Sequence, residues 1–176
     1  MRIAIMGPAG NMGKLVIKEA LGRRRDFMIV GGVVPKDNPN VRQDLGRAIG
    51  EGFVGATTYD ELEFCIPIAQ GVIDFSVPEA TMETVKKCVE YRRPLVIATT
   101  GFGEEDLERI KYASGKTPIL FAVENMEELE AMIKKTPEEQ RKTGGEAEAR
   151  RALNALLAMR EMKLTPGIYT YADVEA

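Results

Sequence analysis

Between residues 2 and 122, short uninterrupted apolar runs alternate with amphipathic stretches of helical period, and this alternation constrains the fold more than any other feature. The runs are Arg2–Met6, Phe27–Val34, Gly71–Phe75, Pro94–Ala98 and Pro118–Ala122. Strands that are apolar along their whole length need cover on both faces, which helices on either side of a parallel sheet supply. Lys14–Leu21, Pro78–Tyr91 and Glu104–Ala113 carry the helical spacing. Weaker signals predict a polar loop at Pro35–Asn40, a helical turn within 41–50, a short strand at Phe53–Val54 and a short helix over Tyr59–Phe64. Residues 1–125 are therefore expected to form a doubly wound α/β unit with a parallel sheet.

The character changes after Asn125. Residues 127–151 are dominated by Glu, Lys, Arg and Ala and give no strand signal. Thr136-Pro137-Glu138-Glu139 has the form of a helix start, and Gly144-Gly145 interrupts the helical pattern. A helix resumes from Glu146 to about Met162, with Ala149, Leu153, Leu156, Leu157 and Met159 or Ala152 spaced to face a core. Leu164–Ala176 reads as a turn and a short tail. The domain division that results is 1–126 plus 147–176, with 127–146 as a charged helical insertion or connector.

The 176 residues suffice for one domain with a substantial core. With 24 basic and 27 acidic residues the net charge is −3, so no global field would hold nucleic acid. Arg23-Arg24-Arg25 reads as a solvated helix end. No apolar run approaches the roughly 18 residues of a membrane span, and the apolar N-terminal stretch is too short for an export signal, so a cytoplasmic protein is expected. Cys65 and Cys88 are too few for a disulfide scaffold and read as buried small hydrophobes. There is no histidine, which excludes Ser-His-Asp and Cys-His catalysis and every histidine-containing zinc pattern, and no metal site is expected. Any chemistry must use Lys, carboxylates, Tyr, backbone dipoles or a bound cofactor.

Gly7-Pro8-Ala9-Gly10-Asn11-Met12-Gly13 lies between the first strand and the first helix, where the tight turn needs glycine and the helix N-terminus attracts an anion. Its G-x-x-G-x-x-G spacing is looser than the G-x-G-x-x-G fingerprint, but the strand–loop–helix setting is the one a dinucleotide pyrophosphate requires. A P-loop is excluded because Leu15 follows Gly13-Lys14. At the end of the second strand, Lys36 with Arg42 suits a ribose 2′-phosphate, whereas Asp37 suits the free 2′-hydroxyl. Both NADP and NAD stay open, with the balance towards NADP. Phe75 and Ser76 follow one further strand, and Thr99, Thr100, Gly101 and Phe102 another, at the strand ends where open α/β sheets bind ligands. Ser76, the threonines and the Gly101 backbone suit a carboxamide, and Phe102 the flank of a flat ring. Read without a ligand, the same residues form a helix start and a turn.

These segments resemble the dihydrodipicolinate reductase family (4-hydroxy-tetrahydrodipicolinate reductase) of lysine and diaminopimelate biosynthesis. The resemblance rests on Ile5–Gly13, Val72–Ala80 and Pro94–Phe102 in that order, on Asn125-Met126, and on Pro166–Val174 with the helix before it. Ala98 stands where the family has glycine, and Glu127 where it has serine. The resemblance implies a Rossmann-like NAD(P)-binding domain, hydride transfer from NAD(P)H, and cofactor contacts from Gly7 to Gly13 and at Asn125. It also implies an inserted substrate-binding and tetramer-forming domain with a His-His pair and a Lys-x-Asp-x-Pro-Ser-Gly-Thr segment, and neither is present. A monomer or homodimer is therefore expected, in a natural shortened form or a deletion whose catalytic residues are unknown. The alternatives are a reductase of a small imine or carbonyl acid completed by a partner chain or by the helical segment, and a non-enzymatic nucleotide sensor or interaction scaffold.

Overall fold

The computed structural model describes residues 1–135, 139 and 145–175. Seven parallel strands form one sheet in the order β3-β2-β1-β4-β5-β6-β7. They are β1 Arg2–Met6, β2 Met28–Val33, β3 Thr57–Tyr59, β4 Gly71–Asp74, β5 Leu95–Ile97, β6 Pro118–Phe121 and β7 Gly167–Tyr169. The helices are α1 Asn11–Gly22, α2 Leu45–Ile49, α3 Pro78–Tyr91, α4 Glu104–Ser114, α5 Met126–Ile133, α6 Glu146–Glu161 and α7 Tyr171–Val174. The expected doubly wound, Rossmann-like architecture is present. No helix among the described residues is long and apolar enough to cross a membrane.

Strand alternation divides the core into two layers. Ile3, Ile5, Ile73, Val96 and Leu120 face α1 and α6, where they meet Val16, Ile17, Leu153 and Leu156. Ala4, Met6, Val72, Leu95, Ile97 and Phe121 face the other way, against α3, α4 and α5. Because successive strand residues point to opposite faces, one apolar run fills both layers. Cys65 and Cys88 are fully buried in the second layer, and burial raises both thiols, Cys65 to about 12, so neither is a ready nucleophile. Arg23 caps the end of α1, stacking on Phe27 and pairing with Asp26, while Arg24 and Arg25 are exposed.

Three expectations fail locally. Phe53–Val54 forms no strand, because the Val54 and Gly55 amides donate to the Asp44 carboxylate at 2.9 and 2.7 Å while Gly52 and Gly55 take positive φ. A turn results, and the next strand is Thr57–Tyr59. The helix expected over Tyr59–Phe64 shrinks to a single 3-10 turn at Leu62–Phe64, since Tyr59 is held in the ladder opposite Val33 and stacks on Phe64. Leu164–Ala176 is more than a tail: β7 pairs with β6 in register Ile119↔Ile168, and α7 follows with Thr170 and Asp173 forming a capping box.

Within the segment expected as a connector, α5 buries Leu129 and Met132 in the second layer, so its first residues add to the domain core. Of the expected helix start at 136–139 only Glu139 is described, and Gly144 also lies outside the described residues. From Gly145 the chain enters α6, which buries Ala149, Ala152, Leu153, Ala155, Leu156 and Met159, with Leu157 half-buried.

Candidate dinucleotide site

Strand order reverses between β1 and β4, and a crevice opens there over the carboxyl ends of the strands. The turn from β1 into α1 forms its base. Gly7 has φ +72°, and a Cβ on it would lie 2.8 Å from the Phe75 carbonyl oxygen. At Gly13 a Cβ would stand 2.2 Å from the Gly7 oxygen and 2.7 Å from Pro8 Cα. Both positions therefore require glycine for the turn itself. Gly10 differs: it is exposed, has φ −72°, and a Cβ would meet only the Gly7 oxygen at 3.4 Å. The turn thus leaves an open face above Gly10. No side chain caps α1, and its first turn carries no acidic residue, so its orphan N–H groups and the positive end of its dipole suit an anion.

Two cavities continue from this turn. The larger, about 600 Å³, runs along the ends of β2 and β4 and is lined by Gly7, Gly10, Lys36, Phe75, Ser76 and Val77 among others. Asp60, Glu61, Glu63 and Glu83 also border it, and Lys87 on its wall is held by Glu63 at 2.7 Å and Glu90 at 2.9 Å. The smaller, about 150 Å³, lies over β5 and β6 and is lined by Met12, Phe75, Thr99, Thr100, Ala122 and Glu124, with α6 and α7 contributing Glu148, Arg151 and Tyr171. Met12 and Phe75 connect the glycine turn to this second cavity.

The structure thus brings Gly7, Gly10, Met12, Lys36, Phe75, Ser76, Thr99 and Thr100 to the crevice. Gly13 sits beneath, shaping the turn, and Ala9 and Asn11 border the turn without lining either cavity. Asp37 is exposed and outside both cavity walls, as is Arg42. Gly101 lines neither cavity and takes φ +94° in the turn after β5. Phe102 does not flank a ring site: it is 1% exposed and packs edge-on against Phe121 in the core. Asn125 caps α5, its side-chain oxygen accepting from the Glu128 amide at 2.9 Å, and lines neither cavity.

Sequence reasoning missed the far wall of the smaller cavity. The Tyr171 hydroxyl donates to Glu148 Oε1 at 2.5 Å, and the Arg151 guanidinium lies 3.9 Å from the Tyr171 ring centroid. Arg151 also forms paired contacts with Glu124 and Glu175. Burial, and then donation to Glu148, hold the Tyr171 hydroxyl well above the usual tyrosine range, so it stays protonated at neutral pH. The only sequence signal was indirect: α6 and the Pro166–Val174 segment belong to the resemblance, but nothing in their pattern shows that they meet at the ends of β5 and β6.

A second buried polar cluster lies under the crevice floor. Asp74 ends β4 and is fully buried, its Oδ1 accepting from the Ser76 amide at 2.8 Å, the Ser76 hydroxyl at 2.5 Å and the Thr99 hydroxyl at 3.1 Å. Burial pushes its carboxyl above the ordinary range against these hydrogen bonds.

Comparison with known proteins agrees with this geometry. Residues 1–126 match the family model described as dihydrodipicolinate reductase, N-terminus. The chain is 40% identical over 121 residues to the 4-hydroxy-tetrahydrodipicolinate reductase of Buchnera aphidicola subsp. Acyrthosiphon pisum (strain Tuc7), covering 69% of this chain and 45% of that one. It is 39% identical over 121 residues, with the same coverage, to the enzyme of that name from Alkalilimnicola ehrlichii. The chain thus spans under half the length of these curated relatives. A dipicolinate-bound dihydrodipicolinate reductase from Paenisporosarcina sp. TG-14 superimposes with a TM-score of 0.55 at 22% identity, covering 70% of this chain and 47% of that one. Homoserine dehydrogenase from S. aureus gives 0.53 at 13% identity, covering 70% and 32%, a likeness of fold alone. With its glycine turn, its switch-point crevice and a family match over residues 1–126, this chain belongs to the dihydrodipicolinate reductase family, whose amino-terminal domain it carries.

Proposed function

We propose that the crevice binds a nicotinamide dinucleotide, with the pyrophosphate on the open face of Gly10 at the N-terminus of α1, the adenosine half in the larger cavity and the nicotinamide in the smaller. The observation that carries this reading is the contrast within the turn: Gly7 and Gly13 are sterically obligatory, while the space above Gly10 is left open. A turn shaped only for stability needs no such opening. When bound, the reduced nicotinamide supplies a hydride, and the protein's part is to bind, orient and exclude water. Thr100 and the Thr99 loop would orient the nicotinamide, and Phe75 would separate the two halves.

Lys36 supports NADP over NAD, because it lines the adenosine cavity whereas Asp37 does not. Hydride transfer of dihydrodipicolinate reductase type, in lysine biosynthesis, is the reaction this domain would serve. A second reading, dinucleotide binding without turnover of a substrate, is favoured by the far wall of the smaller cavity. There Arg151 is engaged by Glu124 and Glu175, and Tyr171 by Glu148, so these groups of the far wall are occupied with one another.

Titration of the protein into NADPH and into NADH, followed by reduced-nicotinamide fluorescence, tests the binding reading without interference from tryptophan, which the chain lacks. Saturable binding that is lost in Gly10→Asp is expected. Absence of binding for both cofactors up to about millimolar would overturn it. Oxidation of NADPH that depends on an added cyclic imine dicarboxylate would separate the reductase from the binding module.

A further inference from the structure

Asp74 takes no part in the dinucleotide reading, yet it is the described carboxylate least suited to its surroundings. It is 0% exposed, and its Oδ2 is buried with no hydrogen-bond partner. An apolar residue would fill the end of β4 at no such cost, since a buried polar atom left unpaired is destabilising. Stability alone therefore does not account for an acid here. Its Oδ1 accepts three hydrogen bonds, two from Ser76 after β4 and one from Thr99 after the neighbouring strand β5.

Ser76 begins the loop after β4 and lines the larger cavity. Thr99 begins the loop after β5 and lines the smaller. Both hydroxyls converge on Asp74 Oδ1, and Thr81 in the first turns of α3 closes the ring, donating to the Thr99 hydroxyl at 3.0 Å and lying 3.3 Å from that of Ser76. The Asp74 carbonyl also accepts from the Ala98 amide at 2.9 Å. On top of this backbone pairing, one buried side chain ties the Ser76 and Thr99 hydroxyls together, each on a loop flooring a different half of the crevice.

We infer that Asp74 is a positioning residue for the dinucleotide, acting through Ser76 and Thr99 to align the adenosine and nicotinamide halves of the crevice so that one ligand spans both. The inference rests on the dinucleotide reading above. Burial pushes the carboxyl above its ordinary range, and an asparagine keeps an oxygen that can accept the Oδ1 hydrogen bonds. Alanine removes the acceptor and frees the Ser76 and Thr99 hydroxyls from their common anchor.

The experiment compares NADPH binding by wild type, Asp74→Asn, Asp74→Ala and Thr99→Val, reading both the dissociation constant and the emission of the bound reduced nicotinamide at saturation. Each variant is first shown by circular dichroism to be folded at the assay temperature. Asp74→Ala should weaken binding by about tenfold, the scale of losing buried hydrogen bonds, and shift the bound emission towards that of free NADPH. Asp74→Asn should recover most of both, and Thr99→Val should add less than about twofold in the Asp74→Ala background, since coupled residues are not additive. A folded Asp74→Ala with wild-type affinity and emission, or an Asp74→Asn as impaired as Asp74→Ala, would overturn the inference and leave the dinucleotide reading standing. A wild type that binds neither NADPH nor NADH would overturn both. If Asp74→Ala does not fold, Ser76→Ala and Thr99→Val decide: non-additive losses in the double variant support a shared anchor, and additive losses refute it.

Discussion

Gly13 and Gly10 occupy the same turn, but their surroundings predict opposite consequences for the same added methyl group. In Gly13→Ala the Cβ would be driven to 2.2 Å from the Gly7 oxygen, 2.7 Å from Pro8 Cα and 2.9 Å from the Pro8 carbonyl carbon. All three are backbone atoms, so no side chain can rotate away. The loop must separate from α1, at an expected cost of about 1–3 kcal/mol for an overpacked site. For a domain of this size each kcal/mol lowers Tm by about 2–4 °C, so a fall of several degrees is expected. In Gly10→Ala the one close contact is at 3.4 Å, within ordinary van der Waals range, and the backbone is already in a region open to every residue. Its stability should stay within about 0.5 kcal/mol of wild type. On the proposed binding mode the added methyl would instead intrude on the pyrophosphate, weakening NADPH binding by about tenfold or more. Differential scanning calorimetry and cofactor titration on the two variants separate the effects. An unchanged Tm for Gly13→Ala, or a Gly10→Ala that loses stability while retaining affinity, would refute the division of labour drawn within the turn.

Residues around the crevice give further expected outcomes. Lys36→Glu should lower the ratio of NADPH to NADH affinity by about tenfold through loss of a charge-assisted contact and gain of a repulsion, and an unchanged ratio in parallel titrations would remove Lys36 from cofactor choice. Arg151→Met should lower Tm by a few degrees, because partly exposed ion pairs to Glu124 and Glu175 contribute up to about 1 kcal/mol each and stacking on Tyr171 a similar amount. The deficit should shrink in about 1 M salt, where the ion pairs are screened, and a salt-independent deficit would assign the effect to packing alone. Asp74 has a folded pKa raised above its unfolded value of 3.8, so the stability linked to its protonation is present below that pH and is lost as pH rises through the folded value. Asp74→Asn cannot ionise, and its Tm relative to wild type should therefore increase with pH from about 4 towards neutrality. A difference that is flat across that range would show that Asp74 is not protonated by the fold.

Legibility from sequence tracks the strength of local constraint. Arg2–Met6, Gly71–Asp74 and Pro118–Phe121 are apolar on both faces, a pattern that admits little besides a covered central strand, and Pro78–Tyr91 carries Pro at its first turn and a clean helical period. β3 and β7 are three-residue edge strands whose pairing is set by β2 and β6, so their own residues carry almost no signal. The glycine turn was legible because sterics demand glycine there. Phe102 was not: an aromatic residue after a strand suits a ring-binding wall and a core equally well, and only its packing against Phe121 decides. The roles of Asp74, Arg151 and Tyr171 depend on partners 2 to 27 residues away in the chain, a distance over which periodicity is silent.

The seating of α6 on α1 governs the order in which this chain can complete its core. Val16, Ile17 and Ala20 of α1 are covered by Leu153, Leu156 and Ala149, and the contact is closed at its rim by Arg150 on Glu19 and Arg23 on Asn154. A chain emerging from the ribosome makes β1 and α1 long before α6, and cannot cover that helix until some 130 further residues have been added. Contacts of such long sequence separation slow folding, because the closing loop loses its entropy before the contact forms. Until α6 arrives, an apolar face beside the glycine turn stays open to solvent, so during synthesis the turn proposed to hold the pyrophosphate belongs to the portion of the molecule most in need of protection from aggregation.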